Sequence, residues 1–153
     1  MVEQFRKSRL VYMVTFGRKN EPHSRPMTNF NEDPYEKMWF PTFTDTRKVD
    51  DLKLDSKTLI VFPDEDGERF YEVEGHSTFA SKQVVDEKWV WWYLYWHPEQ
   101  ENRFWFSPST MHPERCIIEV HPVSVKTLSL DNVDYIHDTY RTVIPRELEN
   151  PGP

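Results

Sequence analysis

Apolar positions along the chain fall mostly into short runs bounded by turn residues, the pattern of strands and not of helices. Leu10-Val11-Tyr12-Met13-Val14-Thr15-Phe16 is one such run, and Gly17-Arg18-Lys19-Asn20-Glu21-Pro22 behind it carries the residues of a hairpin connection. A second strand is expected at about His23 to Phe30. After the turn Asn31-Glu32-Asp33-Pro34, the stretch Lys37 to Phe43 reads as a third strand. Pro41 inside it points to a sheet edge or a bulge, because proline has no ladder N–H to donate. Thr58 to Phe62 and a longer segment from Glu68 to about Phe79, joined by Asp64-Glu65-Asp66-Gly67, read as a further hairpin. The longer segment alternates, with Tyr71, Val73, Gly75, Ser77 and Phe79 on one face and Glu72, Glu74, His76 and Thr78 on the other. A short aromatic strand at Phe104-Trp105-Phe106 and a final strand from about Arg115 to Leu128 complete the β content.

The period changes twice. Thr46 is placed to cap a short helix through Leu54, with Val49, Leu52 and Lys53 on one side and Asp50 and Asp51 complementing its positive end. Ser81 to Trp96 reads as the principal helix, in which Val85, Trp89, Trp92 and Trp96 form a stripe suited to packing on a sheet or another subunit. These tryptophans read as core or interface residues ahead of any substrate platform. Successive strands on short turns pair antiparallel, so the sheet should curl into a small barrel with helices covering its ends. Residues 129–153, with Pro145, Pro151 and Pro153, show no amphipathic period and are expected to extend a domain spanning 1–128.

Composition sharpens this picture. A chain of 153 residues suits one domain. Ten Phe, seven Tyr and six Trp beside the single alanine Ala80 and 12 prolines disfavour a helical bundle. The net charge of −7 repels a polyphosphate backbone, which argues against nucleic acid as a partner. The longest apolar run, Trp89 to Trp96, is too short to span a membrane, and the first residues mix in charge where a secretory signal would be apolar, so the cytoplasm is the expected compartment. Cys116 has no partner for a disulfide or a CxxC pair and is expected to be a buried structural thiol. Glu72, Glu74 and His76 share a strand face, but each step along it is about 7 Å, too long for three ligands to one ion. A solvated or dimer-facing stripe is expected there, and no metal. With no HExxH and no GxSxG, zinc hydrolysis and serine catalysis lack support.

Two segments carry chemistry. They are Pro22-His23-Ser24-Arg25-Pro26-Met27-Thr28 and, about a strand later, Trp39-Phe40-Pro41-Thr42-Phe43-Thr44-Asp45-Thr46-Arg47-Lys48-Val49. Taken singly, Arg47-Lys48 reads equally as a solvated basic pair and Arg25 as a surface residue of a strand. Together and in this order they resemble the FMN-binding split-barrel proteins related to pyridoxamine 5'-phosphate oxidase, in particular the branch similar to general stress protein 26. The likeness covers roughly Val11 to Val123 in element order.

The resemblance implies a mainly β fold: a split barrel of about six antiparallel strands of Greek-key type, with one long and one short helix. It also implies a homodimer with two flavin sites at the subunit boundary. Thr46, Arg47 and Lys48 at a helix start, with Thr42, would hold the phosphate of FMN; hydroxyls, cations and free N–H donors suit a dianion. Arg25 would approach the cofactor from the adjacent strand. Met27 and Thr28 would offer backbone contacts to the isoalloxazine edge, and Pro26 only its carbonyl. Trp105 and Phe106 would wall the pocket. Phe30 departs from the pattern, since the oxidases proper usually carry a lysine there, and phosphate affinity is expected to be lower for it. Arg141, Arg146 and His137 lack the R-x-H spacing with which those oxidases hold their substrate, so vitamin B6 oxidation itself is not expected.

The implied function is an FMN-dependent oxidoreductase with an unidentified small-molecule electron donor or acceptor, and no catalytic residue can be named. FAD or a deazaflavin are alternative cofactors. A stress-related dimer that binds flavin, deazaflavin or haem without turnover is the alternative function.

Overall fold

Six antiparallel strands form a single sheet in the computed structural model of the protein, which describes residues 1–100 and 112–129. Helix α1 (Val2–Lys7) leads into β1 (Leu10–Phe16), β2 (Pro22–Thr28) and β3 (Met38–Phe43). Helix α2 (Arg47–Leu54) precedes β4 (Lys57–Pro63) and β5 (Arg69–Phe79), and helix α3 (Lys82–Trp96) precedes β6 (Arg115–Ser129). The order across the sheet is β2-β1-β4-β5-β6-β3. The two expected hairpins are present, β1 with β2 and β4 with β5.

β2 and β3 follow one another in sequence yet do not pair. β3 lies against β6 instead, with Pro41 opposite Ile117, so both are edges of the sheet. That is where a proline-bearing strand is tolerated. The connection between them is tied by side-chain amides: Asn29 Nδ2 donates to the carbonyls of Phe5 (3.0 Å) and Ser8 (3.1 Å). Asn31 exchanges two hydrogen bonds with the backbone of Trp39, at 2.9 and 3.1 Å, and so stands in for the strand partner that β3 lacks on that side.

The curled sheet encloses Val11, Met13, Met38, Phe40, Ile60, Phe62, Val73, Ile118 and Val120, closed at one end by Phe5 of α1. Phe5 meets Phe62 edge-on at 5.0 Å. α1 is a helix beyond the two expected; six residues with one buried apolar side chain are too few for a period to show. A second cluster covers the outer face of the same strands with Tyr12, Val14, Phe16, Leu59, Val61, Phe70 and Leu128. Burial on both faces explains why β1 and β4 read as continuous apolar runs without alternation.

β5 departs from the expected solvated or dimer-facing stripe. His76 and Thr78 are exposed, but Glu72 lies beside the outer cluster at 2% exposure. The register against β6 slips between Glu74 and Gly75, where a Cβ on Gly75 would collide with the His121 carbonyl oxygen; the bulge therefore requires glycine.

α3 begins at Ser81, whose hydroxyl accepts from the Val84 N–H at 3.4 Å. Val85 and Trp89 pack on Ile117 of β6. The expected stripe thins along the helix, Trp89 being buried, Trp92 half-buried and Trp96 47% exposed. No helix among the described residues is long and apolar enough to cross a membrane.

Candidate functional site

The split of the barrel, between its two edge strands, holds a cavity of about 280 Å³. β2 contributes Pro26, Met27 and Thr28, with Phe30 just beyond it. β3 faces them with Pro41, Thr42 and Phe43. Thr46 and Lys48 close one end from the start of α2, and Trp89 and Trp92 of α3 form an aromatic wall. Six of the eight residues expected from the sequence thus line one cavity: Pro26, Met27, Thr28, Thr42, Thr46 and Lys48.

Thr42 is buried. Thr46 is the N-cap residue of α2, but its hydroxyl donates to the Phe43 carbonyl at 2.8 Å. It holds the turn, and no side chain of the cap closes the first-turn amides. Lys48 is half-buried, and burial pushes its ammonium below the usual lysine range; the Arg25 charge pushes the same way, and Cys116 opposes.

Arg25 and Arg47 do not line this cavity. Arg47 is one residue, or about 100° of helix, away from Lys48. It therefore opens onto a separate cleft of about 660 Å³ on another side of α2, with Arg18, His23, Asp50 and Lys53. The Arg25 guanidinium turns behind the cavity, donating to Thr15 Oγ1 (2.8 Å) and to the Met13 carbonyl (3.3 Å), with Asp51 Oδ2 3.8 Å away.

Asp51 is the residue that sequence reasoning placed wrongly. Expected only as a complement to the positive helix end, it is 4% exposed and inside the fold. Its Oδ2 accepts from Thr15 Oγ1 at 2.7 Å and pairs with His23 Nδ1 at 2.7 Å. The signal was present, since Asp51 stands between Val49 and Leu52 on the inward side of α2. Only its partners on β1 and β2 were beyond reach.

The cavity pairs a cationic end with apolar walls. Among the described residues its lining contains no carboxylate and no histidine, and it offers sites to bind and orient a flat anionic molecule. Cys116 is buried at 7% exposure, and burial raises its thiol further from reactivity. Among the described residues no group of His, Cys, Asp or Glu is arranged to hold a metal. Trp105, Phe106, His137, Arg141 and Arg146 lie outside the described residues.

Residues 1–126 match the sequence profile of the family described as Pyridoxamine 5'-phosphate oxidase like. No curated protein matches. Solved structures share the fold at low identity. The general stress protein 26 from Bacillus anthracis str. Sterne superposes with a TM-score of 0.56 at 20% identity, over 83% of this chain and 93% of that one. A pyridoxamine 5'-phosphate oxidase-related, FMN binding protein from Nostoc punctiforme PCC 73102 gives 0.55 at 17%, over 82% and 77%. An F420 reductase gives 0.58 at 16%, over 80% and 93%.

Proposed function

Because the chain belongs to the pyridoxamine 5'-phosphate oxidase like family and its split barrel joins a cationic end to an aromatic wall, we propose that it is an FMN-binding oxidoreductase. The observation that carries the reading is the convergence of Thr42, Thr46 and Lys48 with Trp89 and Trp92 in one cavity. Lys48 and the uncapped first turn of α2 would take the phosphate dianion, with the charge of Arg25 behind them. The tryptophans and Phe43 would flank the ring and exclude water. The edge of β2 at Met27 and Thr28 would offer backbone groups to the polar side of the ring, since an edge strand has half its peptide groups unpaired. Bound FMN would supply the electron-transfer chemistry, and the chain the binding, orientation and shielding.

At about 280 Å³ the cavity is smaller than the roughly 300–1,000 Å³ of most small-molecule sites. The reading includes a homodimer in which a second copy of the chain completes the enclosure.

Flavin fluorescence titration tests the assignment. FMN should bind at least about ten-fold tighter than riboflavin, the usual worth of a charge-assisted phosphate contact. Lys48→Ala should remove most of that difference while changing riboflavin affinity little. Equal affinity for the two flavins, or an unchanged FMN affinity in Lys48→Ala, would overturn the phosphate site. Preference for FAD, or for the deazaflavin that an F420 reductase uses, would reassign the cofactor.

A further inference from the structure

We infer that Asp51 and His23 set how strongly this cavity selects for a phosphate: Asp51 is a counter-charge that restrains and offsets Arg25, and a proton on His23 lifts that offset. The inference rests on the FMN reading above. Its basis is a network behind the cavity that no lining residue accounts for. Asp51 Oδ2 takes Thr15 Oγ1 and His23 Nδ1, each at 2.7 Å, and stands 3.8 Å from Arg25 Nη2. The network joins three elements, β1 through Thr15, β2 through His23 and Arg25, and α2 through Asp51, one helical turn from Lys48.

Arg25 feels Asp51 at close range and is itself felt by Lys48. A carboxylate beside a guanidinium weakens its field at longer distance, so Asp51 offsets part of the Arg25 charge that Lys48 feels. Protonating His23 adds one positive charge to the cluster, and an anion beside Lys48 is then held more tightly.

The imidazole is built into place. A Cβ on Gly17 would stand 2.7 Å from His23 Cε1 and 3.0 Å from Asp51 Oδ1, so the ring packs where only glycine leaves room. Its Nδ1 is committed to Asp51, and its Nε2 faces the cleft, 3.7 Å from Glu21 Oε2. The other charged groups facing it are Arg18 from the 3-10 turn Arg18–Asn20, Arg25 from its own strand, and Arg47, Asp50 and Lys53 from α2.

The test measures FMN and riboflavin affinities of the full chain and of Asp51→Asn and His23→Gln at pH 8 and pH 5.5, with the Lys48 amino group titrated by NMR in flavin-free protein. Asp51→Asn should raise the preference for FMN over riboflavin about three- to ten-fold at pH 8, the scale of one partly screened charge. A merely structural role for Asp51 predicts a loss instead. His23→Gln should match the parent protein at pH 8 and fall several-fold behind it at pH 5.5. Comparison at equal pH cancels the titration of the FMN phosphate itself. Without flavin, Asp51→Asn should lower the Lys48 midpoint, because the Asp51 charge no longer offsets Arg25. A folded Asp51→Asn with unchanged or weaker FMN preference, or with an unmoved Lys48 midpoint, overturns the inference. Should that variant not fold, a His23→Gln protein that tracks the parent at both pH values overturns it. If the parent protein shows no preference for FMN, it is the cofactor reading that fails, and the Lys48 midpoint decides the charge coupling alone.

Discussion

Two buried carboxylates in this fold meet opposite fates. Asp51 has donors on β1 and β2, whereas Glu72 has Lys126 Nζ at 3.3 Å from one oxygen and, among the described residues, no hydrogen-bond partner for the other. Burial holds the Glu72 carboxyl above its usual range, against the opposing pull of Lys126. A carboxyl whose proton is held more tightly in the folded than in the unfolded chain stabilises the fold below its unfolded pKa. That contribution is lost as pH rises through the folded value. Glu72→Gln removes the titration, so thermal melts from pH 4 to pH 8 should show the variant gaining on the parent as pH rises, by a few degrees at pH 8. A difference independent of pH would mean that Glu72 is ionised at no cost.

At the scale of elements, α3 is held by two unlike contacts. Its first half rests on Ile117 through Val85 and Trp89. Its second half meets Phe30, whose ring lies 5.4 Å from Trp91, 5.0 Å from Tyr95 and 6.2 Å from Trp96, and is stacked on Trp39 at 5.9 Å. Phe30 is therefore the anchor of a helix end. Phe30→Ala should cost about 1–3 kcal/mol, less than a fully buried phenylalanine. Amide exchange should quicken over residues 91–96 and stay slow over 82–89; uniform protection along the helix would show that the cluster carries no load.

Such contacts mark where the sequence stopped being legible. The strand runs that fall within the described residues, the Ser81 cap and the Thr46 cap position are local signals, and each is where it was expected; the expected strand Phe104-Trp105-Phe106 lies outside those residues. The pairing of β3 with β6 is not local, since the turn residues 31–34 report a change of direction and say nothing of which strand comes to lie alongside. The same limit applied to the candidate site. The two motifs named residues that converge in the split, but the phase of α2, which sends Lys48 into the cavity and Arg47 out of it, depends on Asp51 finding Thr15 and His23 across the fold.

For the whole molecule, the incomplete cavity leads to an expected solution mass of twice 18.5 kDa by light scattering at low concentration. A monomer that binds FMN undiminished would dispense with the second copy. The open seam of the barrel has another consequence. Two strand edges side by side are a template on which a foreign strand can be added, the first step towards fibres and swapped dimers. Here β2 carries Pro22 and Pro26, β3 carries Pro41, and Asn31 occupies the backbone of Trp39. A planar ring needs only a few backbone groups and can use such an edge, while an incoming chain needs an unbroken ladder and finds it interrupted on both sides. The seam can thus stay open to a small molecule without becoming a nucleus for aggregation.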